Sequence, residues 1–168
     1  MLQVPAGLKD ATPGWEMLAE NSRRALAELD RELIETNIRA MYAARLRGDA
    51  RQWASYTSPN VRLRVVSATG SHGFVGEING RSQYLQALRV YETEIELIDT
   101  QILDLIVDGD LASVRRRVTV RGRGTGVTRT FESFDYFKFE AGLMLDVEQF
   151  TDTFALNAAR GVTGKIGQ

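Results

Sequence analysis

The chain has 168 residues, 43% hydrophobic and 26% charged, the composition of a single globular domain able to bury roughly 70% of its unfolded surface. Twenty-one Lys and Arg against 22 Asp and Glu leave a formal charge of −1, which excludes general attraction to nucleic acid or to an acidic membrane surface. With no cysteine and one histidine, His72, thiol nucleophiles, iron–sulfur clusters, disulfide staples and Cys/His zinc centres are excluded, and neither metal nor cofactor is expected. The first residues lack a basic targeting region and no stretch of apolar residues is long enough to span a bilayer, so a cytoplasmic protein is expected.

Residues 1–12 carry Pro5 and Gly7 without apolar periodicity and read as a flexible arm. Thr12 before Pro13 has the form of a helix N-cap followed by proline in the first turn. From Trp15 to Arg47 the set Leu18, Leu26, Leu29, Leu33, Ile34, Ile38, Met41 and Tyr42 recurs at three- and four-residue steps, which predicts helix, with a possible break near Asp30. Gly48 stops it. Asp49 with Gln52 three residues on opens a short helix through Trp53 and Tyr56, which Ser58-Pro59-Asn60 ends.

The hydrophobic period then changes from 3.6 to 2. Val61 to Val65 alternates as a strand, Phe74 to Ile78 reads as a short partner after a glycine turn holding His72, and a helix over 81–91 carries Tyr84, Leu85, Leu88 and Tyr91 on one side. Four strands, about 94–107, 111–122, 127–140 and 143–153, are separated by short turns and predict an antiparallel meander. The expected architecture is α+β, with N-terminal helices packed on a strongly curved antiparallel sheet, one domain over 13–154 and a flexible tail over 155–168. Gly122-Arg-Gly-Thr-Gly126 has the glycines of a phosphate loop but no helix after it, and reads as a hairpin.

Alternation over 127–140 places Arg129, Phe131, Ser133, Asp135, Phe137 and Phe139 on one face, so a carboxylate stands in a row of aromatics. Burial there favours a neutral acid that donates a hydrogen bond; the alternatives are that Asp135 faces outward or pairs with an arginine. In the neighbouring strand Val114, Arg116, Val118 and Val120 form an apolar face interrupted by one arginine, which could reach Asp135 or a bound anion. Arg115, Arg117 and Arg121 occupy the opposite face, where a dimer interface with Asp146 and Glu148 would account for them. Those two acids share a face with Met144 and Phe150 and are expected outside, unless a bulge near Glu148 reverses the strand. His72 has the titration range of a general base, or is simply an exposed turn residue.

The order of elements, with Tyr42-Ala-Ala-Arg-Leu-Arg-Gly-Asp49 at a helix end, Asn79-Gly-Arg-Ser-Gln-Tyr-Leu85 opening a helix and Ser133-Phe-Asp-Tyr-Phe-Lys-Phe139 in a strand, resembles the nuclear-transport-factor-2-like superfamily over about residues 30–153. That superfamily includes ketosteroid isomerases, scytalone dehydratase, limonene epoxide hydrolase and SnoaL-type polyketide cyclases. The resemblance implies a cone-shaped cavity for a hydrophobic small molecule, walled here by Trp53, Val118, Phe131, Phe137, Phe139 and Phe150, and a homodimer joined through the outer sheet face. It further implies that Asp135 and Tyr42 form an oxyanion site; Tyr42 as a plain core residue is the alternative. Three readings follow. The first is a cofactor-independent proton-transfer enzyme using Asp135, Tyr42, Arg116 and His72. The second is a noncatalytic ligand-binding or oligomerisation module. The third is a hydrolase or dehydratase that brings a second acid into the pocket.

Overall fold

The computed structural model describes residues 13–66 and 76–162, with side chains from residue 16 onward. The expected arm, the Thr12 cap, Phe74 and His72 lie outside the described residues. Helix α1 runs unbroken over Pro13–Leu46. No cap forms at Asp30; pairs one turn apart, such as Arg31 with Glu35 at 3.3 Å, suit a continuous helix through this point. A left-handed turn at Gly48 (φ 69°) redirects the chain. Asp49 then caps α2 (Ala50–Ser55), its carboxylate accepting from the Gln52 amide at 2.9 Å.

Strand β1 (Thr57–Val66) begins before Val61, and β2 (Gly76–Asn79) pairs antiparallel with it. Helix α3 (Arg81–Glu94) leads into β3 (Ile95–Asp108), β4 (Leu111–Gly122), β5 (Thr128–Glu140) and β6 (Leu143–Thr151), the expected meander. The six strands lie in the order β2-β1-β6-β5-β4-β3. One pairing departs from the antiparallel expectation: β1 runs parallel to β6, because the chain returns to the sheet's far edge through the meander rather than by a hairpin. The sheet is therefore mixed, curled and not closed.

Bulges set the curl and the side-chain phase. In β3, register slips at Ile98 and Leu103 let Leu97, Ile102, Leu105 and Val107 all turn inward along one strand. In β6 the slip falls at Leu145, so Met144 and Val147 are both buried although three residues apart. The core forms where Ile34, Ile38 and Met41 of α1 meet Phe137, Phe139, Val114 and Val147 of the sheet.

Residues 155–160, expected to begin a flexible tail, belong to α4 (Thr153–Arg160). Asp152 caps it by accepting from the Ala155 amide at 2.8 Å, and Leu156 and Ala159 bury themselves against Val118 and Val120. The glycine-rich hairpin is its dock. A Cβ on Gly122 would lie 1.9 Å from the Ala159 carbonyl oxygen, and Thr125 Oγ1 donates to that same oxygen at 2.5 Å. Only glycine permits this approach.

Candidate functional site

The concave face of the sheet, the end of α1, and α2, α3 and α4 enclose a cavity of about 700 Å³. Its wall is mostly apolar: Trp53, Leu97, Val118, Phe131, Phe137 and Leu156 contribute. Its charged lining includes Arg45, Glu94 and Arg160 on the helical side, with Arg160 bonded to Glu94, and a more deeply buried cluster on the sheet. Tyr42 reaches this cluster from α1 because its helix face continues that of Ile38; Arg116, Asp135 and Gln149 reach it from three adjacent strands.

Asp135 is 2% exposed and is the one buried carboxylate among the described residues. Its Oδ2 accepts from the Tyr42 hydroxyl at 2.5 Å and from Arg116 Nε at 2.6 Å. Its Oδ1 accepts from Gln149 Nε2 at 2.9 Å. Ser133 Oγ lies 3.4 Å from Oδ1 but 3.1 Å from the Phe150 carbonyl oxygen. A hydroxyl has one proton, and the shorter contact takes it, so Oδ1 keeps a lone pair. Three donors converge on Asp135 and none of them requires a proton from it. The arrangement is that of an ionised carboxylate paired with arginine, not of the neutral donor that a row of aromatics suggests.

Arg116 is itself 9% exposed and stacks over the Tyr42 ring at 4.9 Å. Burial alone would lower its pKa, but Asp135 and Tyr42 outweigh that and hold the guanidinium charged. One of its five N–H groups is committed to Asp135 and one reaches Thr100 Oγ1 at 3.5 Å; the others can meet a ligand oxygen. Tyr42 keeps its proton, since burial and then the nearby Asp135 charge raise its pKa well above the ordinary phenol value. Burial does the same to Tyr84 and Tyr91 on the cavity's helical side.

Of the expected wall residues, Trp53, Val118, Phe131 and Phe137 line the cavity. Phe139 instead packs in the core behind Phe137, ring centroids 6.1 Å apart. Phe150 is a correction of another kind: Val147, Gln149 and Thr151 turn inward, so Phe150 goes with Asp146 and Glu148 to the outer face, where it meets Phe134 at 6.3 Å. Asp146 and Glu148 are outside, as expected, bonded to Arg62 (2.6 and 2.9 Å) and Arg64 (2.8 Å). Those two acids thus bring no second carboxylate to Asp135, and within the chain they pair with arginines of β1. Arg115, Arg117 and Arg121 find acids in their own chain, Asp104 at 2.7 Å, Glu132 at 3.8 Å and Glu96 at 2.5 Å.

Gln149 went unforeseen because an amide on a strand carries no catalytic signal of its own, although the alternation that puts Asp146 and Glu148 outside also turns it inward. Leu156 went unforeseen because α4 was read as tail. Among the described residues no group of His, Cys, Asp and Glu is placed to hold a metal, and no helix is long and apolar enough to cross a membrane.

A family model, the SnoaL-like domain, matches residues 38–147, a span running from the cavity end of α1 to the inward turn of β6. The chain belongs to the SnoaL-like domain family. Solved structures share the fold of this SnoaL-like chain at low identity. A candidate isomerase from Bacillus subtilis is 14% identical with a TM-score of 0.71, covering 80% of this chain and 97% of that one. A candidate polyketide cyclase from Xanthomonas campestris pv. campestris is 17% identical at 0.64, covering 78% and 98%. TerC, co-crystallised with polyporic acid, is 21% identical at 0.67, covering 77% and 98%. No curated protein matches.

Proposed function

We propose that this SnoaL-like protein binds an apolar, oxygen-bearing small molecule in its cavity and moves a proton on it without a cofactor, chemistry of the isomerase or cyclase type. The observation that carries the reading is the placement of the one buried carboxylate among the described residues, beside an arginine with N–H groups to spare, at the sheet side of a mostly apolar cavity. Asp135 Oδ1 takes a proton from a carbon next to a carbonyl group. The C–H electron pair forms the enolate C=C bond and the carbonyl pair moves to oxygen, which the remaining Arg116 N–H groups hold. Net charge in the cavity is unchanged: Arg116 exchanges a carboxylate counter-ion for an enolate. Return of the proton at another carbon gives an isomer, and attack of the enolate carbon on an internal carbonyl closes a ring.

Tyr42 and Gln149 hold the carboxylate in place, and preorganised donors of this kind reduce the reorganisation the reaction demands. His72 is proposed as a second proton carrier. That a fold neighbour was crystallised with polyporic acid, and others are candidate isomerases and cyclases, supports the class of reaction. The test is mass spectrometry of small molecules released from the purified protein, followed by conversion assays with the compounds found. Wild type is expected to convert such a compound, and Asp135→Asn to bind it within about threefold while converting it roughly a hundredfold more slowly. Equal conversion by both proteins, or binding with no conversion by either, overturns the proposal.

A further inference from the structure

The N-terminal half of α1 carries an apolar stripe that the domain does not use. Leu18, Leu26 and Leu29 are 68%, 62% and 61% exposed, Leu33 is half exposed, and Ser22 and Ala25 fill the spaces between them. At 100° per residue the stripe lies roughly 140° around the helix from the face that Ile34, Ile38 and Met41 bury against the sheet. It therefore cannot serve the core. From Leu18 to Leu33 it extends about 24 Å, and almost all of it precedes residue 38, where the SnoaL-like match begins. A helical segment of this length standing alone in water is marginal, because helices draw most of their stability from a packed apolar face.

The charges beside the stripe choose among possible occupants. With Leu26 and Leu29 as adjacent seam positions and Leu33 and Ser22 continuing the seam on either side, Arg23 and Asp30 are equivalent flanking positions one heptad apart. When two copies of this helix run antiparallel about the midpoint between Leu26 and Leu29, Leu26 of each faces Leu29 of the other. Arg23 of each then stands beside Asp30 of the other, giving two opposite-charge pairs from one symmetry operation. A parallel pairing instead sets Asp30 beside Ala25 and Arg23 beside Leu18, with no such attraction. In the single chain Arg23 has only an exposed contact of 3.5 Å with Glu20, which competes weakly.

We infer that α1 pairs antiparallel with α1 of a second copy of this chain through the stripe of Leu18, Leu26, Leu29 and Leu33, with Arg23 and Asp30 setting the direction. This contact is separate from the outer sheet face and leaves the cavity open. Sedimentation equilibrium of the full chain tests it. Wild type is expected to show one reversible association step that the double variant Leu26→Glu, Leu29→Glu lacks, halving the limiting mass, with unchanged near-ultraviolet circular dichroism, since neither leucine touches the core. Arg23→Asp and Asp30→Arg should each weaken association roughly threefold to tenfold, and the two together should restore it. A wild type that shows no association, association undiminished by the leucine substitutions, or a charge reversal that the second reversal does not rescue overturns the inference. The last two results would place the dimer on another face, or give the stripe to another occupant such as the chain's own first residues.

Discussion

Asp135 accepts three hydrogen bonds from residues on three different elements, and the consequence at the residue scale is strong coupling. Removing one member of a buried ion pair leaves a desolvated charge, so Arg116→Leu is expected to cost about 3–5 kcal/mol of stability. The pair Arg116→Leu with Asp135→Asn should cost less than the sum of the two single changes, because the second removes the orphan that the first creates. Urea denaturation of the four proteins measures this, and additive losses would mean that the two side chains do not share a charge. The tyrosines make a prediction at the other end of the pH scale. Tyr42, Tyr84 and Tyr91 have raised pKa values in the folded chain, from burial first, so above about pH 10 the unfolded chain releases phenolic protons that the folded chain retains. The unfolded state then binds fewer protons, and stability must fall as pH rises, by about 1.4 kcal/mol per pH unit for each such group. Phenolate absorbance from these three should appear only together with loss of structure. A smooth rise within the folded state would contradict their burial. Arg116 and Asp135 were legible in sequence as the odd polar residues on two apolar strand faces, with their contact as one alternative; alternation gives a face but no register across strands, so it could not choose that alternative.

At the scale of elements, a glycine-rich turn and a terminal helix explain each other. Gly122-Arg-Gly-Thr-Gly126 looks like a phosphate loop without its helix, and the residues from 155 onward look like a loose tail, until the Ala159 carbonyl is seen against the space where a Gly122 side chain would be. Gly122→Ala must displace α4 and should destabilise the protein by about 1–3 kcal/mol. Hydrogen exchange should report this as lost protection concentrated in 153–160. Uniform loss across the sheet, or none, would mean that α4 does not depend on this dock. The helices and the meander were readable because their periods, 3.6 and 2, persist over many residues, and Asp49 announced its own cap. What escaped were the bulges. A single extra residue at Leu145 turns Met144 inward on the same side as Val147, away from the face of Asp146, Glu148 and Phe150 that alternation assigns it, and nothing in Leu143-Met-Leu-Asp-Val147 marks the position.

At the scale of the whole molecule, the scarcity of catalytic residue types in the composition fits a design in which the fold supplies the chemistry's surroundings. A curled sheet and four helices leave about 700 Å³ unfilled, and one ion pair with a tyrosine and a glutamine gives that space its most deeply buried polar cluster among the described residues. Since the wall at Val118 borders open space, Val118→Phe should keep stability within about 1.5 kcal/mol of wild type while reducing ligand binding at least tenfold, as followed by calorimetric titration; undiminished binding would place the ligand elsewhere. The central claim is that Asp135 exchanges a proton with a carbon acid held by Arg116. Its most direct test is hydrogen-to-deuterium exchange at the enolisable carbon of a bicyclic ketone such as 2-tetralone, followed by NMR in heavy water with saturating protein. The account predicts exchange well above the buffer rate with wild type and a loss of roughly a hundredfold in Asp135→Asn at equal occupancy. Exchange that is unchanged by the substitution, or no faster than buffer while the ketone is bound in the cavity, would contradict it.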